Sequence, residues 1–160
     1  MNIFVLDKHP RTAARMHCDK HVPKMILETA QMLSTAHRVY DTPQAEKVYK
    51  QAHLNHPCTK WIRESVSNYS WAWSLYHELL VEFRKRRGKH HKSGELIGHL
   101  AHTPREITRS GLTPFAQAMP DEYKRDDAVQ AYRAYYLGDK SRFAKWEWKG
   151  AQTPSWWAHV

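Results

Sequence analysis

Residues 17–28 read His-Cys-Asp-Lys-His-Val-Pro-Lys-Met-Ile-Leu-Glu and concentrate groups that can move protons or carry charge. On a helix, side chains at i, i+4, i+7 and i+11 share one face. That row is His17, His21, Lys24 and Glu28, extended by Gln31 and Thr35. A rise of ~1.5 Å per residue puts His21 and Glu28 about 10 Å apart along the axis. A polar row of this kind is often only a solvated helix face, so its chemistry depends on what else reaches it.

Three chemistries fit the residue types. The first is a metal site. His17, Cys18 and His21 lie close in sequence, and His53, His56 and Cys58 form a second cluster. Zinc accepts such ligands, but neither an HExxH nor a CxxC pair is present. Twelve histidines in a basic chain produce such clusters by chance, so no metal and no cofactor is expected. The second is cysteine nucleophilicity at Cys18. Adjacent helical residues point in different directions, and no third group orients a base. The third uses the amino terminus. An α-amino group titrates near ~7.7–8.0 against ~10.4 for lysine, so more of it is neutral and nucleophilic near neutral pH. Such an amine can attack a sugar C1′ or an aldehyde and form a Schiff base. A nearby carboxylate can stabilise the cationic centre and shuttle protons, and Glu28 is the candidate.

For that chemistry the terminus must be held. Asn2 to Leu6 form a short apolar run consistent with a buried, extended segment, followed by a turn through Asp7 to Pro10. The spacing predicts a helix from about 11 to 40, with Met25, Ile26, Met32, Leu33, Ala36, Val39 and Tyr40 on its apolar face. Pro23 should kink or split it. Thr42-Pro43 predicts a helix start running to about His53. A long helix from about 58 to 87 carries two partly apolar rows and should be central and packed on both sides. Gly88 should stop it. A short helix is expected over 93–102, a brief turn opened by Thr103-Pro104-Arg105-Glu106, and an irregular loop over 110–124. Asp126 or Asp127 should cap a last helix through Leu137, ended by Gly138.

Composition bounds the reading. One domain over residues 1–160 is expected from 160 residues with 41% hydrophobic content. Seven Trp and eight Tyr offer buried area or stacking platforms for bases. A formal net charge of +9 suits a polyanionic partner, most simply nucleic acid. The run Arg84-Lys85-Arg86-Arg87-Gly88-Lys89 reads as a phosphate-contacting patch, although it also complements a helix C-terminus. Two cysteines are too few for a disulfide framework. Apolar runs fall short of the ~18 residues that span a bilayer, and Ile3 to Leu6 is too short for a signal core. The chain therefore reads as soluble and cytoplasmic, without a membrane partner.

Beyond these bounds, the order of residues resembles the phage and viral pyrimidine-dimer DNA glycosylases of the endonuclease V type. The short extended terminus at 2–6, the Asp-x-His at Asp19-Lys20-His21 and the glutamate seven residues later, Glu28, carry the resemblance. The tail Thr-Pro-Ser-Trp-Trp at 153–157 is similar to the family's proline- and aromatic-rich end. The resemblance implies an all-α single domain that cleaves an N-glycosidic bond in double-stranded DNA through an imine, then nicks the strand by β-elimination. It implies Met1, or Asn2 if Met1 is removed, as the nucleophile, Glu28 as the acidic catalytic residue and His21 as a supporting site residue. Lys20, Lys24, Arg84, Lys85, Arg86, Arg87, Lys89, Trp156 and Trp157 would contact the DNA, and the protein would act as a monomer, in the host cytoplasm if viral. Asn2 is larger than the family's small mature terminus. Leu27 and Gln31 stand where the family has arginines, and the segment before His21 is longer. These departures bear on the substrate, with pyrimidine dimers first and other damaged or modified bases second. The alternatives are a non-catalytic DNA- or protein-binding factor and a metal-dependent nuclease.

Overall fold

The computed structural model describes residues 1–159. Six α-helices occur among them: α1 Pro10–Met16, α2 His21–Val39, α3 Pro57–Glu64, α4 Val66–Arg87, α5 Ile97–Leu100 and α6 Ala128–Tyr135. No strand occurs among the described residues, and the all-α expectation holds.

Pro10 starts α1 at its first position, where a missing N–H costs nothing. The chain then breaks at residues 17–20, with His17 in extended conformation. The expected split therefore occurs ahead of Pro23. Pro23 lies in the first turn of α2, where backbone N–H groups have no intrahelical acceptor anyway. The buried face of α2 includes Val22, Met25, Ile26, Met32, Leu33 and Ala36, while Val39 is exposed rather than apolar core.

The helix expected from Thr42 to His53 is absent except for a 3-10 turn at Ala45–Lys47. Side chains of α2 take up the backbone groups that a helix would have paired. Arg38 donates to the carbonyls of Val48 and Tyr49 at 3.1 and 3.2 Å, and Ser34 accepts from Tyr49 N–H at 3.3 Å. Thr35 Oγ1 lies 3.1 Å from both the N and the O of Ala52. This pins residues 48–52 as an irregular strap along α2, and it buries Thr35.

The expected helix over 58–87 is two helices. Ser65 is extended (φ −153°, ψ 157°), and its Oγ accepts from Asn68 N–H at 3.0 Å to cap α4. Both rows of α4 are buried, through Tyr69, Tyr76 and Phe83 on one and Asn68, Leu75 and Leu79 on the other. It packs against α1, α2 and α3. Gly88 ends it in the left-handed region at φ 68°, as the sequence predicts.

Residues 92–100 form one 3-10 stretch running into α5. Asp127 caps α6, accepting from Val129 N–H at 2.8 Å. The α-helix stops at Tyr135 and widens into a π-type turn over Tyr136–Lys140 that contains Gly138. The tail returns to the start of α2. Asp19 N–H donates to Lys145 O at 2.8 Å, and Asp19 Oδ2 accepts from the N–H groups of Glu147 and Trp148 at 2.6 and 2.9 Å. The indole of Trp146 donates to Met16 O at 3.0 Å.

Candidate active site

The amino-terminal arm is built into the core. Ile3, Phe4, Val5 and Leu6 are all at most 4% exposed. Phe4 holds φ 33°, a conformation that bulky residues seldom adopt, and its carbonyl accepts from Leu6 N–H at 2.8 Å. The surroundings impose that bend. The Phe4 ring lies 4.5 Å from the ring of His21, 5.4 Å from Tyr136 and 6.0 Å from Tyr135. Arg133 Nε donates to Leu6 O at 2.9 Å. Asn2 is buried and its amide is committed at both ends: Oδ1 accepts from Ile3 N–H at 2.8 Å, and Nδ2 donates to Ala118 O at 2.8 Å.

An arm fixed in this way presents its first residue to α2. The α-amino nitrogen of Met1 lies 3.5 Å from Glu28 Oε2. The Met1 side chain is only 4% exposed although the residue is half-buried, so solvent reaches Met1 mainly through its main chain. Glu28 Oε2 is buried and has no hydrogen-bond partner, while Oε1 faces Lys24 Nζ at 3.9 Å. One oxygen of a mostly buried carboxylate is thus directed at a primary amine with nothing else competing for it. An amine and a carboxylate at that separation can attack an electrophilic carbon and pass the released proton across.

The remaining residues of the polar row are distributed differently. His17 and His21 are buried, at 0% and 2% exposure, so the row is not a solvated face. His21 Nδ1 pairs with Tyr136 Oη at 2.6 Å. Burial, with further contributions from His17, Lys140, Lys24 and Lys20, lowers its pKa to about 2 and keeps the ring neutral. Its position supports the arm through Phe4, and its polar contact is Tyr136 rather than Glu28. Cys18 is buried against Tyr136. Cys58 Sγ lies 3.7 Å from Asn2 Oδ1, and burial pushes its thiol up to about 12. Among the described residues, His, Cys, Asp and Glu side chains form no group of three or more placed to hold a metal ion.

The basic run divides into exposed and buried members. Arg84, Lys85, Arg87 and Lys89 are exposed. Lys85 pairs with Glu82 at 2.8 Å, and Arg87 lies over the Trp148 ring at 4.6 Å. Arg86 corrects the expected phosphate contact. It is 4% exposed and donates to Glu82, Asp19 and the carbonyls of His17 and Arg15 at 2.9–3.2 Å. Its fork is committed inside the fold. Lys20 lies over Phe143 at 4.7 Å, and Lys24 is more than half exposed beside Glu28. Trp156 and Trp157 are half-buried in packing with Tyr136 and Trp146, and Trp156 Nε1 lies 3.4 Å from Met16 Sδ. They brace the tail, which limits the face either can offer to a base.

A family model described as pyrimidine dimer DNA glycosylase matches residues 1–95. The chain belongs to this family. The match spans the arm, the whole of α2 with Glu28, and the central pair α3 and α4. No curated protein and no solved structure matches the chain. Membership of a pyrimidine dimer DNA glycosylase family implies DNA as the substrate class. No helix of the described residues is long and apolar enough to cross a membrane.

Sequence reasoning singled out Glu28 and the terminus but treated His53, His56 and Cys58 as a possible ligand cluster. In the fold His56 Nδ1 accepts from Cys58 N–H at 3.1 Å and caps α3 beside the arm. The contact of Cys58 with Asn2 is long-range, and the chain order held no signal for it.

Proposed function

We propose that the protein excises damaged pyrimidines from duplex DNA and then nicks the strand, using the α-amine of Met1 as the nucleophile. The neutral amine attacks C1′ of the damaged nucleotide while the bond from C1′ to the base nitrogen breaks, its electron pair leaving with the base, which takes up a proton. The amine proton passes to Glu28. The C1′–O4′ bond then opens, with a proton delivered to O4′, and a protonated imine joins Met1 to the sugar. Loss of a C2′ proton and departure of the 3′ phosphate complete β-elimination. Water releases the terminus by hydrolysing the imine. During base departure the Glu28 carboxylate stabilises the positive charge that develops at the sugar.

The observation that carries this reading is the 3.5 Å separation of the Met1 amine from an otherwise unpartnered Glu28 Oε2. Met1 rather than Asn2 is assigned the chemistry because the Asn2 side chain locks the second residue in the interior. His21 serves as a positioning residue that holds Phe4, and so the arm, in place. Arg84, Lys85, Arg87 and Lys89, with Lys20 and Lys24 nearer the amine, supply phosphate contacts.

Cyanoborohydride reduces an imine to a stable amine, so the protein mixed with an ultraviolet-irradiated duplex should form a covalent adduct through its terminus. Absence of an adduct with both irradiated and abasic duplexes would overturn the Schiff-base step. Glu28→Gln should lower base release by roughly 10²–10⁴-fold, the usual range for removing a positioned proton-transfer group, with DNA affinity nearly intact. Undiminished release by that variant would remove Glu28 from the mechanism.

A further inference from the structure

We propose that Lys24 is a second catalytic amine, which takes the sugar over from Met1 by imine exchange and presents it to water. The inference rests on the assignment of Met1 as the first nucleophile.

Two primary amines share one carboxylate in this site. Glu28 Oε2 faces the Met1 nitrogen at 3.5 Å, and Oε1 faces Lys24 Nζ at 3.9 Å. Lys24 precedes Glu28 on α2 at the i, i+4 spacing that puts two side chains on one face. The three groups differ in their access to solvent. The side chains of Met1 and Glu28 are 4% and 13% exposed, whereas that of Lys24 is 57% exposed. The Asn2 amide ties the arm to Ala118 and Phe4 packs on His21, so the Met1 nitrogen cannot follow its product outward. Lys24, on a flexible four-carbon stem, reaches the same carboxylate from the solvent side.

An imine left on Met1 after β-elimination would have to be hydrolysed beside an arm built into the core. Lysine amines form imines as readily as they exchange them, and Glu28 supplies the proton transfers. It accepts a proton from the Lys24 ammonium, and the neutral nitrogen adds to C1′ of the protonated imine. Both nitrogens are then bonded to C1′. Glu28 gives its proton to the Met1 nitrogen and takes one from the Lys24 nitrogen. The bond from C1′ to Met1 breaks with its electron pair leaving on the terminus, and a protonated imine now joins C1′ to Lys24. Water hydrolyses that imine on the exposed side, and the Met1 amine is left neutral for another lesion. One carboxylate oxygen facing each amine is the arrangement that this exchange requires. A second amine held in place also spares the cost of drawing one from solution.

Borohydride added at successive times reduces whichever imine is present, and tandem mass spectrometry of the digested adduct locates the sugar remnant. With the unsubstituted protein and a preformed abasic duplex, the remnant should appear on the Met1 nitrogen first and on Lys24 Nζ later. Lys24→Arg keeps a cation for Glu28 and for phosphate but has no amine with which to form an imine. Its adduct should be confined to Met1, and its multiple-turnover nicking should slow roughly tenfold more than its first turnover. A remnant found on Met1 alone at every time in the unsubstituted protein would overturn the inference. So would equal slowing of first and later turnovers by Lys24→Arg, since Lys24 would then act through its charge. A remnant on Lys24 with none at any time on Met1 would refute the assignment of the terminus and the exchange with it. If the unsubstituted protein forms no adduct at all, the Schiff-base reading itself fails, an outcome distinct from the others.

Discussion

Arg86 and its neighbours in the basic run have the same formal charge and opposite surroundings. Arg86 bridges the carboxylates of Asp19 and Glu82 inside the fold, with side-chain exposures of 0%, 7% and 4%. Arg86→Ala would leave the buried Asp19 carboxylate without its cation and Glu82 with Lys85 alone, and the loss of stability should be about 3–5 kcal/mol. Chemical denaturation of the variant checks this, and a loss below about 1 kcal/mol would show that solvent already reaches the pair. Arg84 and Lys89 are exposed, so Arg84→Ala and Lys89→Ala should each change stability by less than about 0.5 kcal/mol. For each phosphate contact removed, the slope of log affinity against log salt should fall by about 0.9. Titrations of duplex DNA at several salt concentrations measure it, and unchanged slopes would place the DNA elsewhere on the surface. Nothing in the string Arg-Lys-Arg-Arg distinguishes its third member. What separates it is the rotation of α4, which turns residues 79, 82, 83 and 86 inward together.

At the scale of elements, strong local signals survived and weak ones gave way to tertiary contacts. Pro10, Gly88 and Asp127 act through their own backbone geometry or an immediate neighbour's N–H, and each marks the boundary that its residue type suggests. The Thr42-Pro43 start leads to no α-helix because Arg38, Ser34 and Thr35 capture the following carbonyls and amides from the side. A helix start cannot report such lateral competition. Ser65 lies inside an apolar pattern that continues through it, so the α3–α4 break left no trace in periodicity. Its hydroxyl replaces one helical hydrogen bond with a cap, and Asn68 beyond it binds Trp61 O and Thr113 Oγ1 at 2.8 and 2.7 Å. Ser65→Ala should therefore cost about 1 kcal/mol, within the usual range of 0.5–2 for a lost N-cap. A shift of the denaturation midpoint without a change of slope would show it, whereas a neutral substitution would mean that Asn68 alone holds the break.

For the whole molecule, the amine and Glu28 meet because the first residues lie in the same core as α2, α4 and α6. Three neutral histidines in that core link its stability to pH. Burial lowers His17 and His37 to about 4 and His21 to about 2. Between the ordinary value near 6.5 and those lowered values, the unfolded chain binds protons that the folded one refuses. Stability should therefore be full above about pH 6.5 and fall as the solution is acidified towards pH 4. The loss at pH 4.5 is on the order of 2–3 kcal/mol per histidine, large against the total stability of a typical domain. Urea unfolding at pH 7 and 4.5 tests it, and equal stabilities would mean that the rings are already charged in the fold.

The tail's hold on Asp19 also sets an order of assembly. Asn2 reaches its carbonyl partner at Ala118, Leu6 is held by Arg133, and Asp19 takes its backbone donors from residues 147 and 148. The groups that fix the arm lie more than a hundred residues after it in the chain, so they are made well after it. The arm and the start of α2 therefore reach their final geometry only once residues 118, 133, 147 and 148 have folded against them.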